Sequence, residues 1–552
     1  MMKRIFSLIA LLLSVLLVAA CADAPPPAAL TAEETIAEAT PAKEEATPAP
    51  APEATEEPAA QEGPKSITIA AGRSFWQGPT TNIFIHGSTN VWESLVMLDE
   101  AMNPTMNLAE SITPSEDGLT WTVKLRGGIT FHDGSALDAD TVMYNLDRLY
   151  RFNPATKAYD PEYAKSGEYG EITGMEKVDE TSFTITLVKP IPDFDLRLAY
   201  ENSAIFAMAS FDDARAIQTP YGTGPYQFDN YDESSEILTL TKFAAYRKGE
   251  PKLDTVVFRN IMDATARLAA LQSGEIDVIS DVGGIMPQQA AQVLGDANLT
   301  LKEREVSTVH YICMNTQEGK LFSDLSLRKA LSLCIDRESV VDDLLLGYGV
   351  QAVSVLTDIS SDWTVDCEYV YDPEQAKTIK ETILGDETPT ATILVSSALT
   401  GRWPYQNAAL MLQAELKAIG IDAQVELVDA ATWTQRLKDG EYDISIHPFT
   451  VSAGEPNFFF VRNMLTGGSN NVARGYGISD AELDAMIRQV EAEPDKAKRQ
   501  DLYAQMQRLV RDNEYLLPVW YDVTLYAMNR RVKDFEIDVI FCPDLFAVDV
   551  TD

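Results

Sequence analysis

Histidine and cysteine are scarce in this chain. It has four histidines, His86, His132, His310 and His447, and five cysteines, at 21, 313, 334, 367 and 542. The cysteine spacing matches no zinc pattern. Neither a Gly-x-Ser-x-Gly elbow nor a His-Glu-x-x-His pair occurs, and four histidines are too few for a persuasive catalytic triad. Basic residues are also in deficit: 44 Lys and Arg face 84 Asp and Glu, for a net charge of −40. That balance argues against a nucleic-acid partner, whose phosphates need a basic surface. Beyond residue 20 no run approaches 18 consecutive apolar residues, so nothing later in the chain reads as a membrane span, and a soluble head is expected.

The N-terminus is different. Lys3 and Arg4 precede an apolar stretch from Ile5 to Ala20 that only Ser7 and Ser14 interrupt, and Val18-Ala19-Ala20 stands before Cys21. A charged head, a short apolar run and small residues at its end read as a secretory signal over 1–20. The Val-Ala-Ala-Cys ending resembles a bacterial lipobox, which implies lipidation of Cys21 and tethering outside the cytoplasmic membrane. Residues 22–65 hold 14 Ala, 9 Pro, 9 Glu and 5 Thr, with Leu30 and Ile36 as the only larger aliphatic residues. Such a segment cannot bury enough apolar surface to offset ordering entropy, so 21–65 is expected to be a disordered linker.

The leader carries +2 and the linker −8, which leaves −34 on residues 66–552. That length calls for two or more lobes. Thr255–Phe258, a helix from Ala264 to Ser273 stopped by Gly274, and Ile276–Ile279 spell strand–helix–strand, the grammar of a parallel sheet. The pattern returns at Ile393–Val395, Asn407–Ile419 and Ala423–Val428. Residues 120–125 and 182–187 instead alternate apolar and polar, which favours antiparallel strands. The expected fold class is therefore α/β with two lobes and an inserted third region. Cys313 and Cys334 lie in apolar stretches and read as buried thiols. Cys367 and Cys542 lie in loop-like segments, where either pairing or free thiols fit an exported protein.

Several motifs occur in order along the head. They are Asn107–Ile112 (NLAESI), Ser115–Gly134 (SEDGLTWTVKLRGGITFHDG), then Leu137, Ala139, Asp140, Val142 and Arg148. Gly222–Tyr226 (GTGPY), Pro251–Asp254 (PKLD), Thr265–Asp277 (TARLAALQSGEID) and Leu327–Arg337 (LRKALSLCIDR) follow. Together they resemble family 5 of the bacterial extracellular solute-binding proteins, the peptide/nickel group that serves ABC importers. Read locally, most of these residues are fold determinants: Asp117-Gly118 and Asp133-Gly134 are tight turns, and Gly222–Pro225 is a chain reversal with no room for a bulky side chain. His132, in one of the turns, is expected to be solvated.

The resemblance implies a type II, cluster C periplasmic-binding-protein clamshell. Lobe I would comprise 66–92, 216–305 and 518–552, the inserted domain II 93–215, and lobe III 306–517. The chain would cross between lobes near Val306–His310 and Leu517–Asp522, with the ligand in the cleft between them.

Ligand contacts are expected first in the loop Pro448–Phe460, which faces the cleft in the family. Peptide binders there carry an aromatic residue, matched by Phe449, and an aspartate for the peptide amine, where this chain has Ser452. Glu455 and Asn457 flank Pro456 in the same loop. His447 matches a histidine of the nickel-type proteins, but the tryptophan, tyrosine and second histidine that accompany it are missing from 450–471. His310 and His447 each end a strand, and a structural imidazole is the stronger reading for both. By position alone, Phe75, Trp76, Arg126, Trp403, Tyr405, Trp520 and Tyr521 are further cleft candidates, with core packing as the alternative. The function implied is capture of an oligopeptide or dipeptide-like solute and delivery to a membrane permease. Nickel-chelate and oligosaccharide binding are the alternatives, and a secreted hydrolase is the competing class. No cofactor, no catalytic residue and a monomeric state are expected. Replacing Phe449 or Glu455 is expected to weaken capture without unfolding the head.

Overall fold

The computed structural model describes residues 63–551, apart from 79–82, 154–155, 164–171, 282, 361 and 452–454. The leader, Cys21, Ser452 and nearly all of the linker lie outside the described residues.

Eleven strands form one sheet: β1 (Ser66–Ala71), β2 (Tyr226–Asp232), β3 (Ile237–Lys242), β4 (Thr255–Asn260), β5 (Val278–Ile279), β6 (Leu299–Met314), β7 (Gly349–Gln351), β8 (Thr390–Ser396), β9 (Asp422–Val428), β10 (Ile444–Thr450) and β11 (Leu516–Asn529). Their order is β2-β3-β4-β1-β5-β11-β6-β10-β8-β9, and β7 pairs with β11. Both anticipated strand–helix–strand units are present. In the first, Asp263 caps α1 (Ala264–Ser273) by accepting from the Ala266 amide, and Gly274 ends it at φ 76°. In the second, α2 (Tyr405–Ala418) joins parallel β8 and β9 and starts two residues earlier than expected, because Pro404 serves as its N-cap. A separate four-stranded antiparallel sheet, in the order 109–114, 120–125, 182–187, 172–179, accounts for the alternating segments.

The two long strands organise the molecule. Leu299–Glu305 of β6 pair with Val523–Asn529 of β11, and Val309–Cys313 pair with Leu516–Tyr521. The ladder is interrupted between Glu305 and Val309. There Ser307 donates its amide to Val539 and its hydroxyl to Val451 at 2.7 Å, so the buried polar groups stay satisfied. One apolar core packs β1–β4 against the four-stranded sheet, and another packs β8, β10 and α2.

The motifs prove to be ties between distant segments. His132 is half-buried between two backbone groups: Nδ1 accepts from the Gly222 amide at 3.2 Å and Nε2 donates to the Gly224 carbonyl at 2.9 Å. It is therefore not solvated, which corrects the sequence reading; the ring clamps the Gly222–Gly224 reversal. That reversal needs glycine for space, since a Cβ at 222 or 224 would lie 2.0 Å from the carbonyl oxygen of Val91 or Asn90. Arg328 and Arg337 of the LRKALSLCIDR motif are buried and donate to the Asn513 and Pro518 carbonyls beside β11. Cys313 and Cys334 are buried thiols. Cys367 and Cys542 are unpaired, which decides that open question: Cys367 lies against Ser354, and Cys542 against Ser88 and Tyr200.

Burial pushes His132 down to about 4. The folded state thus binds its proton less readily than the unfolded chain, whose histidines titrate near 6.5. Stability from the neutral ring is complete above that value and is lost as pH falls toward 4. The stability gap between wild type and His132→Gln, measured by urea unfolding, should narrow by up to about 2 kcal/mol between roughly pH 7.5 and pH 5. An equal gap at both pH values would contradict the assignment.

Candidate functional site

A cavity of about 280 Å³ opens between residues 199–202 and a wall built from the end of β10 and the helical stretch 457–474. β10 runs between β6 and β8, which delivers Phe449 and Thr450 to the cavity edge. The Thr450 hydroxyl lies 2.7 Å from that of Thr308, and the Phe449 ring meets Phe459 edge-on at 5.4 Å. Facing them, Tyr200 holds a left-handed backbone (φ 50°), with its hydroxyl 3.3 Å from Cys542 Sγ. Gly87 makes room for the Tyr200 ring, which a Cβ there would meet at 2.7 Å.

Two guanidiniums line the wall formed by 457–474. Arg462 stands 5.1 Å above the Phe458 ring. Arg474 donates from Nη1 to the Tyr476 hydroxyl at 3.0 Å. Burial, the largest single influence, opposes its charge, but Tyr476, Cys313 and Tyr405 together leave the group above its ordinary value. Glu201 is the acidic side chain among the described lining residues.

A second, buried cluster joins the two halves of the sheet. Arg73, after β1, donates to both oxygens of Asp281, after β5, at 2.7 and 2.8 Å. Arg402, after β8, approaches the same carboxylate at 3.8 Å and lies over Trp403. Burial pushes Asp281 up, but the two guanidiniums prevail and hold it below its usual range. Trp403 donates to Asp522 at 3.4 Å, Tyr405 is 2.7 Å from His310 Nδ1, and His310 stacks on Trp520 at 4.3 Å. Burial lowers His310, so the ring is neutral near pH 7 despite Asp522.

The residues chosen from sequence thus scatter. Phe449 lines the cavity. Trp403, Tyr405 and Trp520 meet in the buried cluster, whereas Tyr521 points to the opposite core and accepts from the Val353 and Ser354 amides. His447 is fully buried between Trp433 and Tyr476, neutral, and away from the cavity. Phe75 packs on His86 and Phe258, and Trp76 stacks on Phe228 and Tyr231. Arg126 ties down the Met106 and Asn107 carbonyls. Asn457 is buried. Glu455 is also buried and accepts from Arg499 Nε at 3.0 Å and the Tyr503 hydroxyl at 2.8 Å, so its removal is expected to lower stability as well as any effect on capture. Tyr200, Arg462, Asn470 and Arg474 were not anticipated. One available signal was a pair of arginines close to the cleft loop in a strongly acidic chain.

Among the described residues one group of side chains could meet at a metal ion. The carboxylates of Asp138, Asp140 and Glu180 converge at the surface. Asp138 already caps a helix, and Lys177 bonds to Asp140 and Glu180.

Two lobes sharing one sheet, with an added antiparallel domain and a cavity walled by separate segments, define the periplasmic-binding-protein clamshell of type II. The profile of the bacterial extracellular solute-binding proteins, family 5, matches residues 103–471, and the chain belongs to that family. Its members are transport binding proteins of the periplasm that take small peptide or metal-chelate ligands and work with ABC permeases. The chain is 28% identical over 459 residues to the dipeptide-binding protein of Escherichia coli K12, covering 78% of this chain and 83% of that one. It is 28% identical over 456 residues to heme-binding protein A of Haemophilus influenzae, covering 78% and 81%. The structure of NikA from Brucella suis in complex with Fe(III)-EDTA superposes with a TM-score of 0.77 at 20% identity, over 88% of this chain and all of that one. Among the described residues no helix is long and apolar enough to cross a membrane.

Glu455→Ala leaves the Arg499 guanidinium, at 9% side-chain exposure, with the Glu493 and Pro494 carbonyls but without its counter-charge. It should cost roughly 3–5 kcal/mol. Phe449→Ala, at a half-buried position, should cost less than half as much, and thermal unfolding of the two variants separates them. Equal stability of both would contradict these roles.

Proposed function

We propose that this chain is the substrate-binding component of an ABC importer and that its solute is a short peptide of dipeptide to tripeptide size. The observation that carries this is the cavity of about 280 Å³ between residues 199–202 and 448–474. It lies near the small end of ligand pockets, which span roughly 300–1,000 Å³. Its walls mix aromatic rings, asparagines and charges, as suits a compact amphiphilic solute.

In this reading lobe I is 66–92 with 216–305 and 518–552, the inserted domain is 93–215, and lobe III is 306–517. The lobes rotate about the interrupted β6/β11 ladder, close on the solute, dock on the permease and release it chemically unchanged. No catalytic step is assigned. The mature chain begins at Cys21, is held to the membrane by lipid, and acts as a monomer. A carboxylate-rich metal chelate is the second reading, favoured by the two cavity guanidiniums.

Native mass spectrometry of protein extracted from membranes tests both parts. The expected spectrum is a monomer starting at an acylated Cys21, carrying a distribution of short-peptide masses. A single metal-bearing adduct would replace the peptide by the chelate, and an unacylated N-terminus would remove the anchor.

A further inference from the structure

A second cavity, of about 440 Å³, lies between the strand pair 96–98 and 104–106, the turn at Tyr246–Lys248 and the C-terminal segment 536–544. Its volume falls within the usual range for small-molecule sites, roughly 300–1,000 Å³. Of the residues lining the first cavity it shares Tyr200 alone. The body of this cavity is apolar. Trp92, Tyr200 and Tyr246 supply aromatic surface, and Met97, Leu98 and Ile540 supply aliphatic surface. The Trp92 and Tyr200 rings lie 5.7 Å apart at 44°. Met97 is 46% exposed, which leaves a flexible thioether open to contact.

The charge around it has one sign. Six carboxylates and a single cation, Lys248, line the cavity. Three of the six are paired: Glu93 with Arg247 at 2.7 Å, Glu100 with Arg304 and Glu536 with Lys302. Asp99, Asp538 and Asp544 accept only from amide N–H groups, and no cationic side chain among the described residues pairs with them. Two of these carboxylates sit in turns built alike. Asp99 accepts from the Ala101 and Asn103 amides at 2.9 and 2.8 Å, and Asp538 from the Ile540 and Cys542 amides at 3.0 and 2.8 Å. Each turn carries one left-handed residue, Met102 at φ 64° and Phe541 at φ 60°. Burial pushes Asp538 up to about 6, against the pull of its two amides and of Arg304. A fixed carboxylate that has lost water without gaining a counter-ion favours a cation, and so do aromatic faces.

We propose that this second cavity is a binding site for an organic cation with an apolar body, an alkyl- or arylammonium. Asp99 and Asp538 hold its charge, and the aromatic rings, Met97 and Ile540 cover its body. The site is independent of the solute that the first cavity takes.

The test is calorimetric titration of the purified full-length protein with three probes of one shape class: benzyltrimethylammonium, benzyl alcohol and benzoate. The cation should bind once per chain with a Kd below about 1 mM, and the alcohol and the carboxylate at least about tenfold more weakly. Asp538→Asn keeps the acceptor oxygen for both turn amides while removing the charge, and it should weaken the cation about three- to tenfold. Asp99→Asn, at an exposed position, is an independent variant with the same expected direction. Met97→Ala, which removes apolar contact and no charge, should also weaken it. Equal affinity for the three probes would overturn the proposal, as would failure of the cation to bind. Wild-type affinity in all three variants would place the bound cation elsewhere and overturn it as well.

Discussion

The structure depends on a gap in one β-ladder. β6 and β11 run side by side through both halves of the sheet, but their pairing stops between Glu305 and Val309. A continuous ladder would make the two halves one stiff plate. The interruption leaves two strands as the connection, with Ser307 bonded sideways to Val451 and Val539 instead of across. Buried backbone polar groups are therefore satisfied while the shared sheet loses rigidity at that level, the property a clamshell needs.

What holds the halves together is polar and buried. Arg73 and Asp281 come from the half containing β1 and β5, and Arg402 and Trp403 follow β8 in the other. Arg267 of α1 reaches across to the Gly401 carbonyl at 3.1 Å. Gly283 lets the two halves approach, since a Cβ there would meet the Arg402 carbonyl at 2.1 Å. Ion pairs of this kind give little net stability once desolvation is counted, but they are specific about geometry. In the proposed hinge that combination would define one arrangement of the halves sharply without locking it.

Much of the fold was legible in the sequence because it is written in local rules. The helix from Ala264 to Gly274 carries its cap and its stop in the chain, and the alternation of 120–125 and 182–187 declares a sheet with one wet face. The glycines at 222 and 224 announced a crowded reversal, although His132 was misplaced in solvent because its partners lie about ninety residues away. The site was less legible for the same reason. Phe449 sits at the end of a strand that periodicity can find. Tyr200 and Arg474 reach the cavity from segments more than 270 residues apart, and no local spacing records that meeting. Aromatic residues misled most: Phe75 and Trp76 follow a strand and Tyr521 lies within one, yet all three pack against cores. Glu455 looked like a loop acid, and only its contact with Arg499 and Tyr503, over forty residues on, shows it to be a brace.

Small-angle X-ray scattering on the same preparation, first stripped of solute by partial unfolding and refolding and then reloaded with the material that was released, addresses the hinge most directly. Rotation about the interrupted ladder predicts a smaller radius of gyration and a shorter maximum dimension in the loaded state, reversible on stripping. Superimposable curves for the two states, with loading verified by mass, would contradict it.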